Sequence, residues 1–251
     1  MRRVDSAWTG RRAGSIAVSV IAIGTWGAGC ADDETESVRV FAAASLADAF
    51  DELAEAYTAR TGTPVELNVA GSAALRLQLD EGASADVFAP ADPVQLDRLE
   101  VEPADEATVF ATNELVVAHP IDGDPVGLAD FDRDELLLGA CAPEVPCGAY
   151  ARAVFAAAGI RPALDTEESD VRALAAKVAE GELDAGIVYA TDVLGDPRLD
   201  SVAIPPDMAA AVAITYPVVP MSDRPEAATF IDFLLAADGQ AILARNGFGA
   251  P

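Results

Sequence analysis

The stretch Val38-Arg-Val-Phe41-Ala-Ala-Ala-Ser45-Leu-Ala-Asp48 decides the fold. Its first four residues set branched and aromatic side chains around a single Arg, which reads as a short strand. From there apolar residues recur at Leu46, Phe50, Leu53, Ala54 and Tyr57, one stripe of a helix. Thr61-Gly-Thr-Pro64 ends that helix and the pattern restarts. Val65-Glu-Leu-Asn-Val69 reads as a strand, Ser72 to Glu81 as a helix stopped by Gly82, and Asp86-Val-Phe-Ala89 as a third strand. Asp92 to Glu100 is expected to be helical again. Alternation of this kind builds a parallel sheet with right-handed crossovers.

Further on, Thr108 to His119 contains a longer strand, Leu115-Val-Val-Ala118, with no amphipathic helix behind it. A second set begins at Leu136-Leu-Leu138 and continues with a helix from about Gly148 to Ala158, a helix from Val171 to Glu180 and the strand Ala185-Gly-Ile-Val-Tyr189. Another extended stretch runs from Ala211 to Val219. The C-terminal segment is helical, with Phe230, Phe233 and Leu234 on one stripe, Ile242 and Leu243 on another, and Asn246-Gly247 as its stop. Two long strands bracketing the middle third predict crossovers between two lobes, 38–113 with 216–251 and 114–215. The expected class is therefore α/β and two-lobed, each lobe a mostly parallel sheet flanked by helices, with the crossover strands as hinge. Ligands in such sheets sit at the carboxyl ends of strands, facing helix N-termini.

Composition narrows the function. The 251 residues include 42 acidic and 16 basic ones, a net charge of -26, which excludes the basic footprint that nucleic acid requires. With 51% hydrophobic residues the chain has a core and is not disordered. Four Arg precede residue 13, and an uncharged run from Ala13 to Gly29 follows, the pattern of an export signal over 1–30. Gly27-Ala-Gly-Cys30 resembles a bacterial lipobox, with Gly27 where Leu, Val or Ile is usual; Cys30 is then the lipid anchor. The alternatives are a plain signal peptide with a spare thiol, or a membrane anchor at the short end of the spanning range. Residues 31–37 form an acidic tether. Removal of 1–30 takes four Arg and Asp5 and leaves 12 basic against 41 acidic residues, net -29.

Beyond Cys30 only Cys141 and Cys147 remain, with two prolines between them. In an oxidising compartment so close a pair is most simply a disulfide; a metal site would want further His or Cys ligands, and a redox pair is usually spaced by two residues. Ser45 and Ser72 both stand where a strand hands over to a helix, among Ala and Gly. The commonest task of such a serine is N-capping, and Asp48 completes a capping-box pattern with Ser45. The sharper reading is an anion site made of unpaired helix amides plus a hydroxyl.

One resemblance ties these features together. Val38-Arg-Val-Phe-Ala-Ala-Ala-Ser-Leu46, Gly71-Ser72, Ala85-Asp-Val-Phe88, Val145-Pro-Cys-Gly-Ala-Tyr150, Asp170-Val-Arg172, Gly186-Ile-Val-Tyr189 and Asn246-Gly-Phe248 resemble, in order and spacing, the molybdate-binding proteins that feed ABC transporters. The resemblance covers Val38 to Gly247. It implies a periplasmic-binding-protein fold of type II that closes on molybdate or tungstate and presents it to a membrane permease. It places the ligand contacts on Ser45 and Ser72 from the first lobe, and on the amides of Cys147 and Val171 and the phenol of Tyr189 from the second. Cys147 departs from the Ala frequent at that position, and Gly71 and Ala73 replace hydroxyl residues common near the second serine. Molybdenum then enters only as the bound oxyanion, with no cofactor, no catalytic residue, and a monomer as the working form.

Neutral donors suit a fully ionised oxyanion, whereas a phosphate that keeps a proton needs an acceptor. Sulfate would have to be distinguished by size. Asp170, beside Val171, is expected to turn towards helix capping or Arg172. The competing readings are a binding protein for sulfate, a metal cation or an organic acid, and an enzyme on the same two-lobed fold. Against an enzyme, the single His119 precedes Pro120 at the hinge, the single Lys177 lies mid-helix, and no acidic cluster has metal-ligand spacing.

Overall fold

A computed structural model describes residues 37–251. The export signal, Cys30 and all of the tether but Ser37 lie outside the described residues. The first strand, β1 (Val38–Ala43), passes through a 3-10 turn at Ala44–Leu46 into α1 (Ala47–Thr61). There follow β2 (Val65–Ala70), α2 (Ser72–Asp80), β3 (Val87–Ala89), the single turn α3 (Val94–Asp97) and β4 (Thr108–Asn113). The middle of the chain supplies β5 (Leu115–Pro120), β6 (Leu138–Cys141), α4 (Pro146–Ala158), β7 (Thr166–Glu168), α5 (Val171–Ala179), β8 (Ala185–Tyr189) and α6 (Ala190–Leu194). It closes with β9 (Leu199–Ala203), α7 (Pro206–Ala209), β10 (Ile214–Pro220), α8 (Pro225–Leu235) and α9 (Ala237–Arg245).

These strands form two sheets of one design. The orders are β2-β1-β3-β10-β4 and β7-β6-β8-β5-β9. In each, three parallel strands are followed by one antiparallel strand and an edge strand that pairs with it. The antiparallel strand comes from the chain's passage between sheets. β4, the edge of the first sheet, continues through Glu114 into β5 of the second, and β9, the edge of the second, leads back into β10 of the first. The fold is thus α/β and two-lobed, with four strands of each sheet running one way.

The first lobe is held by an aromatic cluster: Phe50 of α1 lies 5.9 Å from Phe110 of β4, and Tyr57 lies 5.3 Å from Phe230 of α8. In the second lobe α5 packs through Leu174 against Gly139 and Gly186, where any Cβ would crowd its Cδ1, so the helix lies close on its sheet. Burial at ~25 cal/mol per Å² makes such apolar contacts the main favourable contribution to each lobe.

Several elements depart from expectation. The helix expected over Asp92–Glu100 shrinks to one turn, because Asp80 Oδ1 takes the Glu100 amide at 2.7 Å and draws the chain away. The strand placed at Leu136–Leu138 begins only at Leu138; Asp184 and Asp165 side chains hold the Leu137 and Leu138 amides, both at 2.8 Å. The extended stretch from Thr108 to His119 is two strands in two sheets, and the one expected over 211–219 starts at Ile214.

Candidate functional site

Six parallel strands, three in each sheet, direct their carboxyl ends at one cleft. Ser45 follows β1, Ser72 follows β2, Cys147 stands at the start of α4 after β6, Val171 opens α5 after β7, and Tyr189 ends β8. All five, the residues expected from the sequence, line a single cavity of about 220 Å³, of which about 20 Å³ is open to the centre of a water molecule. The space open to a water centre lies far below the ~300–1,000 Å³ of sites for drug-sized ligands, which suits a small occupant.

The donors are numerous and neutral. The first amides of an α-helix have no carbonyl one turn back. Pro146 at the head of α4 brings no N–H, so the first amide there belongs to Cys147. Val171 and Ser72 are the first residues of α5 and α2. Cys147 is fixed from both sides. It is disulfide-bonded to Cys141, and its neighbour Gly148 leaves no room for a Cβ against the Ala142 carbonyl.

Neither serine caps its helix, contrary to the commoner role; no side-chain cap bond forms at the start of α1 or α2. Ser72 Oγ accepts the Ala91 amide at 3.1 Å, which leaves its own proton for the cavity. Ser45 Oγ lies 3.1 Å from the Tyr216 hydroxyl, a partner that sequence reasoning missed because it stands 171 residues away. Asp48 turns out of the capping box to receive Arg172 across the cleft at 2.7 Å.

Tyr189 is the outlying group. The residue is 1% exposed, and its hydroxyl is buried without a hydrogen-bond partner. Burial pushes its phenol well above the usual range, so it is a neutral donor. An orphaned buried polar group costs about 1–3 kcal/mol, which a ligand in the cavity would relieve. Of the twelve lining residues none is Lys, Arg or His. Asp170 is the one carboxylate, and its Oδ1 caps α5 by accepting the Ala173 amide at 2.9 Å. Arg172 goes to Asp48 rather than to Asp170.

Asp192, three residues after Tyr189, is buried and accepts the Tyr189 amide at 3.1 Å. Burial raises its carboxyl to about 7 against the pull of that amide and of Arg172. The lobes touch across the cleft: Gln95 Nε2 donates to the Glu144 carbonyl at 3.4 Å, and Gly71 abuts the Ser169 carbonyl. The groups that could serve an enzyme are engaged elsewhere. His119 is buried with Nδ1 against the Pro120 carbonyl at 3.0 Å, and Lys177 pairs with Glu168 at 2.6 Å. Among the described residues no three His, Cys, Asp or Glu cluster as metal ligands.

The model of bacterial extracellular solute-binding proteins matches residues 38–249. The chain belongs to that family. This solute-binding protein is 37% identical over 223 residues to the molybdate-binding protein ModA of Mycobacterium tuberculosis, covering 86% of this chain and 85% of the relative. It is 30% identical to the molybdate-binding protein ModA of Escherichia coli, over 88% and 92% of the two chains. Its fold is that of the periplasmic molybdate-binding protein of Azotobacter vinelandii, with a TM-score of 0.73 at 19% identity over 86% of this chain and all of that one. As a member of the family it is an extracytoplasmic binding protein, not an enzyme.

Proposed function

We propose that the protein captures molybdate, or its congener tungstate, in the cleft and delivers it to an ABC permease. The observation that carries this reading is the buried, unpartnered hydroxyl of Tyr189, a residue that lines a small cavity on which helix N-termini and two serines converge. Hydroxyls and amides can surround a dianion without a formal countercharge, each donating to an oxygen that only accepts. Ser45 and Ser72 contribute hydroxyls and amides from the first lobe. The Cys147 and Val171 amides and the Tyr189 phenol complete the set from the second. Lobes made of 38–113 with 216–251 and of 114–215 close as rigid bodies about the strands that join them. Molybdate is the cargo here and not a cofactor, and a monomer suffices to hold it.

Export by the segment 1–30 fits this role, with Cys30 as a lipid-bearing first residue of the mature chain. Cys30→Ser should then release the protein from membranes. The main test is thermal unfolding of the purified protein with molybdate, tungstate, sulfate, phosphate and ferric citrate in turn. A ligand at a hundred times its dissociation constant adds about 2.7 kcal/mol. Stabilisation by a group-6 oxyanion is expected, and its absence would remove the reading. Stabilisation by sulfate alone would move the assignment to that ion.

A further inference from the structure

Asn113 ends β4 at the point where the chain leaves the first sheet. Its Oδ1 accepts the Glu114 amide at 2.8 Å, which fixes the orientation of the side-chain amide, because only the oxygen can accept there. Nδ2 therefore points the other way. It donates to Thr191 Oγ1 at 2.9 Å, in the second lobe, and to the Tyr216 hydroxyl at 3.3 Å. Tyr216 is fully buried on β10, beside the bulge that the ladder takes between Tyr216 and Pro217. A proline cannot donate to a ladder, and a bulge re-aims the neighbouring side chain.

The proton count follows. Nδ2 has no lone pair to offer, so the phenol oxygen accepts from Asn113 and its own proton goes to Ser45 Oγ, 3.1 Å away. Ser45 is an acceptor on that side, and its hydroxyl proton is left for the cavity it lines. Every proton in the row runs from Asn113 towards the ligand, and burial keeps the phenol neutral so that the row stays intact.

We propose that Asn113 and Tyr216 are positioning residues that set Ser45 as an obligate donor, and that through this they bar oxyanions that carry a proton. The proposal rests on the oxyanion reading above and goes beyond it by assigning selectivity to residues outside the cavity. A ligand hydroxyl presented to Ser45 would meet a row with no acceptor at its far end, leaving one buried proton unpaired.

Asn113→Asp reverses the row. The carboxylate still accepts the Glu114 amide, but its second oxygen accepts from Tyr216, whose oxygen then accepts from Ser45, so the cavity meets a lone pair. At pH 8.5 molybdate and hydrogenphosphate are both dianions, and the added charge weakens them equally; the ratio of their dissociation constants, by titration calorimetry, isolates the hydrogen bonds. That ratio, phosphate over molybdate, should fall about 10- to 100-fold in Asn113→Asp. Adding Tyr216→Phe to Asn113→Asp breaks the row and should restore most of the ratio. Asn113→Ala, which adds no charge and leaves both senses open, should lower it several-fold, and it serves if the Asp variant does not fold. A wild type that binds molybdate, with an unchanged ratio in the folded Asn113 variants, overturns this proposal alone. A wild type that binds none of molybdate, tungstate or sulfate overturns the oxyanion reading and this proposal with it.

Discussion

Gly71→Ala separates closure from folding. Gly71 has φ -57° and ψ 135°, a conformation open to any residue, so an alanine there strains no backbone. Its Cβ would lie 2.5 Å from the Ser169 carbonyl oxygen and 3.3 Å from Asp170 Cβ, and its three nearest neighbours all belong to that pair of residues in the other lobe. The clash exists only while the lobes touch. Overpacking of this kind costs about 1–3 kcal/mol. At about 1.4 kcal/mol per tenfold, the dissociation constant for molybdate should rise about 5- to 150-fold. The unfolded chain meanwhile loses freedom, so the ligand-free protein should keep its stability or gain about 0.4–1 kcal/mol. Titration calorimetry gives the first quantity and denaturant unfolding without ligand gives the second. Wild-type affinity in the variant, or a loss of ligand-free stability equal to the loss in binding, would refute the reasoning.

Asp192 is held protonated by burial up to about 7, so the folded protein binds more protons than the unfolded chain between the ordinary value near 3.8 and that point. Its stabilising contribution is complete below this window and is lost as pH rises through it; from pH 4.5 to 7 wild type should lose about 3 kcal/mol more than Asp192→Asn in denaturant unfolding. Replacing Cys141 and Cys147 by Ser opens a loop of sequence separation 6, for which the chain-entropy model gives about 2 kcal/mol; calorimetry should show weaker molybdate binding as the Cys147 amide loosens. The Asp48–Arg172 pair spans the cleft with side chains 53% and 46% exposed, so Asp48→Asn should change the dissociation constant less than about fivefold, and less still at high salt. Because the whole chain is strongly acidic, stopped-flow association of molybdate should be slow at low salt and quicken as salt is added.

The fold was legible wherever apolar residues are periodic. Of the predicted stripe, Phe50, Leu53 and Tyr57 are buried on α1, Leu46 is buried in the turn before it and Ala54 is half-buried, and the run Ala185–Tyr189 is a fully buried central strand. What escaped notice lacks that signal. Edge strand β7 reads Thr-Glu-Glu and β9 reads Leu-Asp-Ser-Val-Ala, both polar enough to pass for loop, since an edge buries little. β4 merged with β5 because a single residue, Glu114, separates two strands of different sheets. At the site the residues that line the cavity were legible through the family resemblance, since a serine or valine at a helix start carries no distinguishing chemistry by itself. The residues that act on them were not. Tyr216 sat in a stretch read as hinge, and nothing local in Ile-Thr-Tyr-Pro announces a contact with Ser45. In the sequence Gly71 merely replaces a hydroxyl residue; in the fold it admits the approach of the Ser169 carbonyl from the other lobe, a long-range contact that no local pattern announces.

A net charge of -26 sits uneasily with an anionic cargo until the acids near the cavity are followed individually. Asp170 gives an oxygen to the Ala173 amide, Asp48 is paired with Arg172, and Asp192 is kept neutral by burial to about 7. Asp92, buried nearby, is likewise raised by burial while its Oδ1 holds the Val94 amide. Each of these four acids is thus capped, paired or raised by burial, and acids on the outer surface are screened beyond ~8 Å at physiological salt. What remains at the cavity is the field of helix ends and hydroxyls, which falls off within a turn. A site lined with arginine would overcome the acidic surface more strongly, but it would hold any anion. Neutral donors with a fixed proton sense discriminate by proton count and size, and the Asn113–Tyr216–Ser45 row gives one of them that sense from outside the cavity.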